Sequence, residues 1–193
     1  PYLDWLLKID NSDWIPPAIF FLATNRDGNE ASFFKNLEIL AAYMSLERCG
    51  INDRIERYSK ILNEIGNGTV LNDDSPLHLT EKEKARFLTI VSGDVYLMQN
   101  NPRKYLMLRV DSFCSGGEAR YDYKITSIEH VLPQTLNDNW RISWNTEAQE
   151  KWVHKIGNLV LLSRRKNAAA SNYNFEYKKQ QYFARNGVSS YAL

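Results

Sequence analysis

The chain has 193 residues, of which 44% are hydrophobic and 24% are charged, as is typical of a globular protein. No stretch approaches the roughly 20 apolar residues that a membrane-spanning helix needs, and the first residues lack the basic and apolar regions of a signal peptide. The two cysteines, Cys49 and Cys114, form no Cys-x-x-Cys pair, which excludes a zinc ribbon and favours free thiols in a cytoplasmic protein. Because the sequence does not begin with Met, we expect the chain to be part of a longer protein.

The net charge of +1 is unevenly distributed. Residues 1–128 hold 15 Lys and Arg against 18 Asp and Glu, whereas residues 129–193 hold nine against five. A basic C-terminal segment suits a polyanionic partner, although solvated helix faces are often basic as well.

The first part of the chain has the pattern of helices. Pro16-Pro17 suits a first helical turn. Apolar side chains then recur at the three- and four-residue steps of an amphipathic helix: Phe33, Phe34, Leu37, Leu40, Ala41 and Met44. Thr80 and Glu83 have the spacing of a capping box, whereas residues 105–110 suit a helix or a short strand equally. We therefore predict a mainly helical α+β protein, with a helical bundle over residues 1–115.

Residues 116–193 predict a second subdomain of a different kind. A β-rich segment over residues 123–128 leads into Glu129 and His130. Gly157-Asn158 forms a turn before the apolar run 159–162, and a basic, alanine-rich stretch from residue 164 should be helical. Strand, strand and helix in this order, with polar groups at the end of the first strand and in the helix, predict a ββα unit built around a metal.

The polar residues of this unit suit phosphodiester hydrolysis. A histidine near neutral pKa can take a proton from water, and a hard divalent cation can hold the scissile phosphate and the leaving oxygen. Glu129 and His130 are adjacent, so in an extended segment their side chains diverge, one towards the metal and the other towards the water. Asn167 would add a neutral oxygen ligand, and a few protein oxygens completed by waters suit Mg²⁺, or Mn²⁺.

Two segments carry a resemblance to a known family: Ile128-Glu129-His130-Val131-Leu132-Pro133-Gln134 and Gly157-Asn158-Leu159-Val160-Leu161-Leu162-Ser163. Together with Asn167, Asn172, Phe175 and Lys178, they resemble the C-terminal HNH domain of GmrSD-type, modification-dependent (type IV) restriction enzymes, including the SspE-like phage-defence proteins. Residues 34–43 and 54–58 resemble the helical segment that precedes this domain. The resemblance implies that His130 is the general base, that Glu129 and Asn167 hold the metal, and that Asn158 braces the histidine loop.

The resemblance also implies partners. DNA would be the substrate, and a separate upstream domain would sense DNA and hydrolyse nucleotide, since this chain has no Gly-rich phosphate loop. Beside a nuclease site, we expect basic side chains to contact phosphates: Arg164, Arg165, Lys166, Lys178 and Lys179. His154 is either a supporting group or a loop residue, and we favour the loop residue. Asn172 is rotated away from the Asn167 face and is left out of the metal shell.

Two other functions are open from the sequence. The chain could be an HNH-like module that binds nucleic acid without cutting it, or a helical interaction domain whose motif matches by chance. The presence of Glu129, His130 and Asn167 together favours a DNA endonuclease or nickase.

Overall fold

The computed structural model describes residues 1–25, 28–116, 126–163 and 173–180, and it divides into two compact units, Pro1–Ile90 and Val91–Leu193. The boundary predicted after residue 115 lies inside the second unit. It directly follows a helix that packs against a strand of that unit.

Helices build the first unit: α1 (Tyr2–Leu6), α2 (Ile15–Thr24), α3 (Glu30–Glu47), α4 (Ile51–Asn67) and α5 (Glu81–Val91). α1 packs against α3, and α2 packs against α4. The apolar residues that predicted an amphipathic helix over residues 33–44 are all buried in α3, which forms the centre of the core. Phe33 is fully buried and stacks on Phe21 of α2.

Local signals set the ends of these helices. α3 ends with Arg48 in the left-handed conformation (φ 62°), and α4 ends with Gly68 at φ 73°, where glycine carries no Cβ penalty. The capping box at the start of α5 is confirmed: Thr80 N donates to Glu83 Oε2 (2.8 Å), and Glu83 N donates to Thr80 Oγ1 (3.3 Å).

The second unit combines helices with a small sheet. Its helices are α6 (Asn100–Cys114), α7 (Asp138–Arg141), α8 (Thr146–Trp152) and α9 (Phe175–Lys178), with 3₁₀ turns at Val95–Leu97 and Ile156–Asn158. Strands β1 (Thr126–His130) and β2 (Leu159–Ser163) pair antiparallel, and α6 packs against β2. Residues 105–110 are therefore helical, which settles the alternative that the sequence left open.

The predicted class, α+β and mainly helical, is confirmed. The two strands of the predicted ββα unit are present, whereas its helix, expected from residue 164, lies outside the described residues. Among the helices that the structure describes, none has the length and apolar character to cross a membrane.

Candidate active site

The end of β1 separates the two side chains of the Glu-His pair. β1 and β2 run in register, with Glu129 opposite Val160 and His130 opposite Leu159. Because side chains alternate along a strand, Glu129 and His130 leave opposite faces of the sheet. The Glu129 carboxylate meets Lys178, whereas the His130 ring packs among aromatic side chains. The two residues therefore enter different environments.

His130 is buried, with 5% of its surface exposed. Its ring lies 4.1 Å from the Tyr96 ring and 5.6 Å from the His154 ring, between centroids. Burial, together with smaller electrostatic contributions from His154, Lys178 and Arg103, lowers the pKa of His130 to about 4. The imidazole is therefore neutral at pH 7 and able to accept a proton.

Polar atoms without a partner concentrate around this ring. Across the described parts of the chain, six buried side-chain N or O atoms have no hydrogen-bond partner. Three of them lie in this cluster: His130 Nε2, His154 Nδ1 and Arg103 Nε. Buried polar groups in native proteins are normally satisfied, so such a concentration indicates a place where water or a ligand completes the site.

Asn158 holds the backbone that follows His130 in place through hydrogen bonds. Its side-chain Oδ1 accepts a hydrogen bond from Leu132 N (2.6 Å), and its Nδ2 donates to Leu132 O (2.9 Å) and Val153 O (2.8 Å). Its own carbonyl accepts from Val131 N (2.9 Å). Both amide protons are used in this way, so the geometry makes Asn158 a positioning residue.

A second amide supports the same loop. Gln149, buried in α8, donates through Nε2 to Pro133 O (3.0 Å) and Gln134 O (2.9 Å). The Pro-Gln dipeptide of the motif is therefore held through its backbone. Gln149 carries no motif of its own, and sequence reasoning missed it.

Lys178 lies elsewhere than expected. The sequence suggested a contact with DNA, but the side chain is fully buried. Its Nζ lies 2.9 Å from Glu129 Oε1 and 2.9 Å from His130 O. Consecutive helix residues point about 100° apart, so Lys178 turns inward while Lys179 stays exposed. The expectation of a phosphate contact is therefore corrected for Lys178 and remains for Lys179.

His154 lies in the turn after α8, as expected for a loop residue, and its ring is packed against a neighbour. Its ring stacks against Tyr96 (centroids 5.6 Å apart, planes at 12°), and its carbonyl accepts from Tyr96 N (3.1 Å). The guanidinium of Arg103 covers the Tyr96 ring at 4.6 Å and donates to the Tyr96 carbonyl. One hint was available in the sequence, because His154 lies four residues before Asn158 in the same short segment. Tyr96 and Arg103 had no such signal.

Of the two residues predicted to hold a metal, the structure describes Glu129 alone. Asn167 lies outside the described residues, as do Arg164, Arg165 and Lys166. Within the described ranges, no group of three or more His, Cys, Asp or Glu residues could hold a metal. Glu129 shares one oxygen with Lys178, and its other oxygen has no partner among the described residues. A single free carboxylate oxygen fits a water-rich Mg²⁺ site rather than an all-protein cage.

A family model matches more than half of the chain. The family model for the C-terminal domain of GmrSD restriction endonucleases matches residues 81–192, a range that includes β1, β2 and every residue of the cluster around His130. No curated protein and no solved structure matches the chain.

Proposed function

Because the chain belongs to the family of GmrSD restriction endonuclease C-terminal domains, a family of nucleases, we propose that it is a metal-dependent HNH DNA endonuclease or nickase. The observation that carries this proposal is His130 Nε2, a buried nitrogen of a neutral imidazole, without a partner among the described residues, at the end of a strand. That nitrogen is available to take a proton from water.

His130 would act as the general base. Its Nε2 accepts a proton from a water molecule while the water oxygen bonds to the phosphorus of the scissile phosphodiester. The bond between phosphorus and the leaving 3′ oxygen breaks, and that oxygen takes a proton from solvent. The negative phosphate beside the ring raises the pKa of His130 from its low value in the free protein, which makes the imidazole a stronger base when substrate is bound.

Glu129 and Asn167 would hold the cation. Bound Mg²⁺ or Mn²⁺ supplies charge neutralisation at the phosphate and the leaving oxygen. Glu129 offers the carboxylate oxygen that Lys178 leaves free, and Asn167 would offer its amide oxygen. Asn158 and Gln149 keep the chain after His130 in place, which fixes the direction of the imidazole.

Plasmid cleavage tests the proposal. Supercoiled plasmid is incubated with the protein and Mg²⁺, with EDTA as the metal-free arm. We expect relaxed or linear DNA only with metal, and a loss of about 10²–10⁴-fold in His130→Ala. His78→Ala, in a loop of the first unit, is the matched control and should cut normally. A folded His130→Ala protein that cuts at the wild-type rate contradicts the assignment, and a wild type that binds DNA without cutting it supports the binding-module alternative.

Metal titration tests the ligands. Glu129→Ala and Asn167→Ala should each raise the Mg²⁺ concentration needed for half-maximal cleavage, because each removes one of the few protein oxygens. Unchanged titration curves in both variants would place the ligands elsewhere.

The same proposal extends to the cellular role of the protein and to the domain that would select its DNA. The nuclease would act in defence against phage in the cytoplasm, where invading DNA is exposed to it. Choice of modified DNA and nucleotide hydrolysis would belong to an upstream domain of the same protein.

A further inference from the structure

Lys178 is the one lysine among the described residues whose side chain is fully buried, and it touches both halves of the Glu-His pair. We propose that Lys178 is a positioning residue that supplies the counter-charge of Glu129 and shares that carboxylate with the divalent metal. The sharing of the Glu129 carboxylate between Lys178 and the metal rests on the proposed function. The pairing of Lys178 with Glu129 does not.

The hydrogen bonds of Lys178 account for its whole ammonium group. An ammonium has three N–H donors, and three acceptors surround Nζ: Glu129 Oε1 at 2.9 Å, His130 O at 2.9 Å and Val131 O at a longer 3.5 Å. An unpaired ammonium is strongly destabilising when it is buried, so a lysine with 0% exposure needs such a set of partners. The contact is therefore a built feature of the site.

The short helix that carries Lys178 is itself held. The Asn174 side chain caps α9 by accepting from Tyr177 N (2.9 Å), and Trp140 Nε1 donates to Tyr173 O (3.1 Å). These bonds fix the backbone just before Lys178, so its ammonium stays at the end of β1. Lys178 in turn holds the Glu129 carboxylate and the His130 carbonyl.

The pair changes how Glu129 can serve a metal. One oxygen is bound to the ammonium, which leaves one oxygen for a cation. The positive charge at 2.9 Å also opposes a second cation at the same carboxylate. Lys178 therefore preorganises Glu129 before metal binds, and it lowers the affinity for the metal.

A metal-free stability cycle tests the pairing. Lys178→Met keeps the length of the side chain but leaves the Glu129 carboxylate, only 15% exposed, without its counter-charge. We expect its melting temperature in EDTA to fall by on the order of 10 °C. The double variant Glu129→Gln, Lys178→Met has no orphan charge and should recover about half of that loss or more. Lys179→Met, the exposed neighbour, is the matched control and should melt as the wild type does.

Metal binding tests the sharing. Mn²⁺ should bind Lys178→Met about tenfold more tightly than wild type by electron paramagnetic resonance, because the competing ammonium is gone. Mg²⁺ should raise the melting temperature of Lys178→Met more than that of wild type, and should not stabilise the double variant. Equal metal affinity in wild type and Lys178→Met overturns the sharing.

The remaining outcomes decide the pairing. If Lys178→Met melts as wild type does, or if the double variant is as unstable as Lys178→Met or fails to fold, Lys178 does not act through Glu129 and the inference is overturned. If Lys178→Met fails to fold while the double variant folds, the inference is supported. Because the cycle needs neither metal nor cleavage, a protein that does not cut DNA would overturn the proposed function and leave this result standing.

Discussion

The rings of His130 and His154 meet edge to face, with centroids 5.6 Å apart and planes at 70°, and Tyr96 contacts both. Tyr96 lies in the turn before α6, His154 follows α8, and His130 ends β1. Two segments of the second unit thus supply Tyr96 and His154, which form one aromatic wall against the candidate base. That wall excludes water from most of the imidazole and limits its rotation.

We expect His154→Ala to slow cleavage by about 10- to 100-fold, because the His130 ring loses one side of its wall and its aim towards the attacking water. His154→Phe keeps a ring in this place and should restore most of the rate. Single-turnover plasmid cleavage at saturating Mg²⁺ measures both variants. If His154→Phe is as slow as His154→Ala, the cleavage rate depends on the ring nitrogens of His154 and not on the packing of its ring against His130.

The low pKa of His130 predicts a pH dependence of stability. With a folded pKa of about 4 and an unfolded value of 6.5, the unfolded chain binds a proton first as the pH falls. Stability should therefore be constant above pH 6.5 and fall between pH 6.5 and 4, by on the order of 3 kcal/mol in total. His130→Gln should lack this component. Urea denaturation in EDTA at several pH values measures the difference, and parallel curves for the two proteins would contradict the prediction.

Asn158→Ala should lower the free energy of unfolding by about 2–3 kcal/mol, because three side-chain hydrogen bonds disappear and Leu132 N and O keep no partner there. Asn158→Asp should be no better, since its second oxygen would face the carbonyls of Leu132 and Val153. Asn36→Ala, which removes a single exposed hydrogen bond to Ser32 O, serves as the control. Urea denaturation decides, and a wild-type midpoint for Asn158→Ala would rule out the bracing role.

Arg164 and Arg165 precede the proposed ligand Asn167, and we expect them to contact the DNA backbone rather than base edges. Replacing both by Ala should weaken binding to two unrelated duplexes equally and make the salt dependence shallower, by roughly 0.9 in slope for each phosphate that is no longer neutralised. Lys60→Ala, an exposed change on α4 of the first unit, is the control. Fluorescence anisotropy at several salt concentrations measures both. A weaker affinity for only one duplex would show that these arginines read bases.

Local patterns in the sequence determined the helices, the helix ends and the strands that the following examples illustrate. The three- and four-residue spacing of apolar side chains predicted α3, and the pair Thr80 and Glu83 predicted the start of α5. Glu129-His130 was predicted at a strand end, followed by the apolar strand after Asn158. These features could be predicted because each depends on residues that are close together in the chain. Over such short distances, the period of a helix or strand fixes which side chains lie on the same face.

Only the tertiary structure decided the surroundings of the candidate base. Tyr96, Arg103 and His154 come from separate segments and lie together near His130. Their spacing in the sequence does not predict this, because packing of distant segments brings them together. Lys178 lies in a basic segment, which predicted a contact with DNA. In the structure, its position on α9 points the side chain into the interior, where its ammonium pairs with Glu129. The direction of a single side chain on a short helix depends on what that helix packs against, and this is set by long-range burial rather than by local sequence.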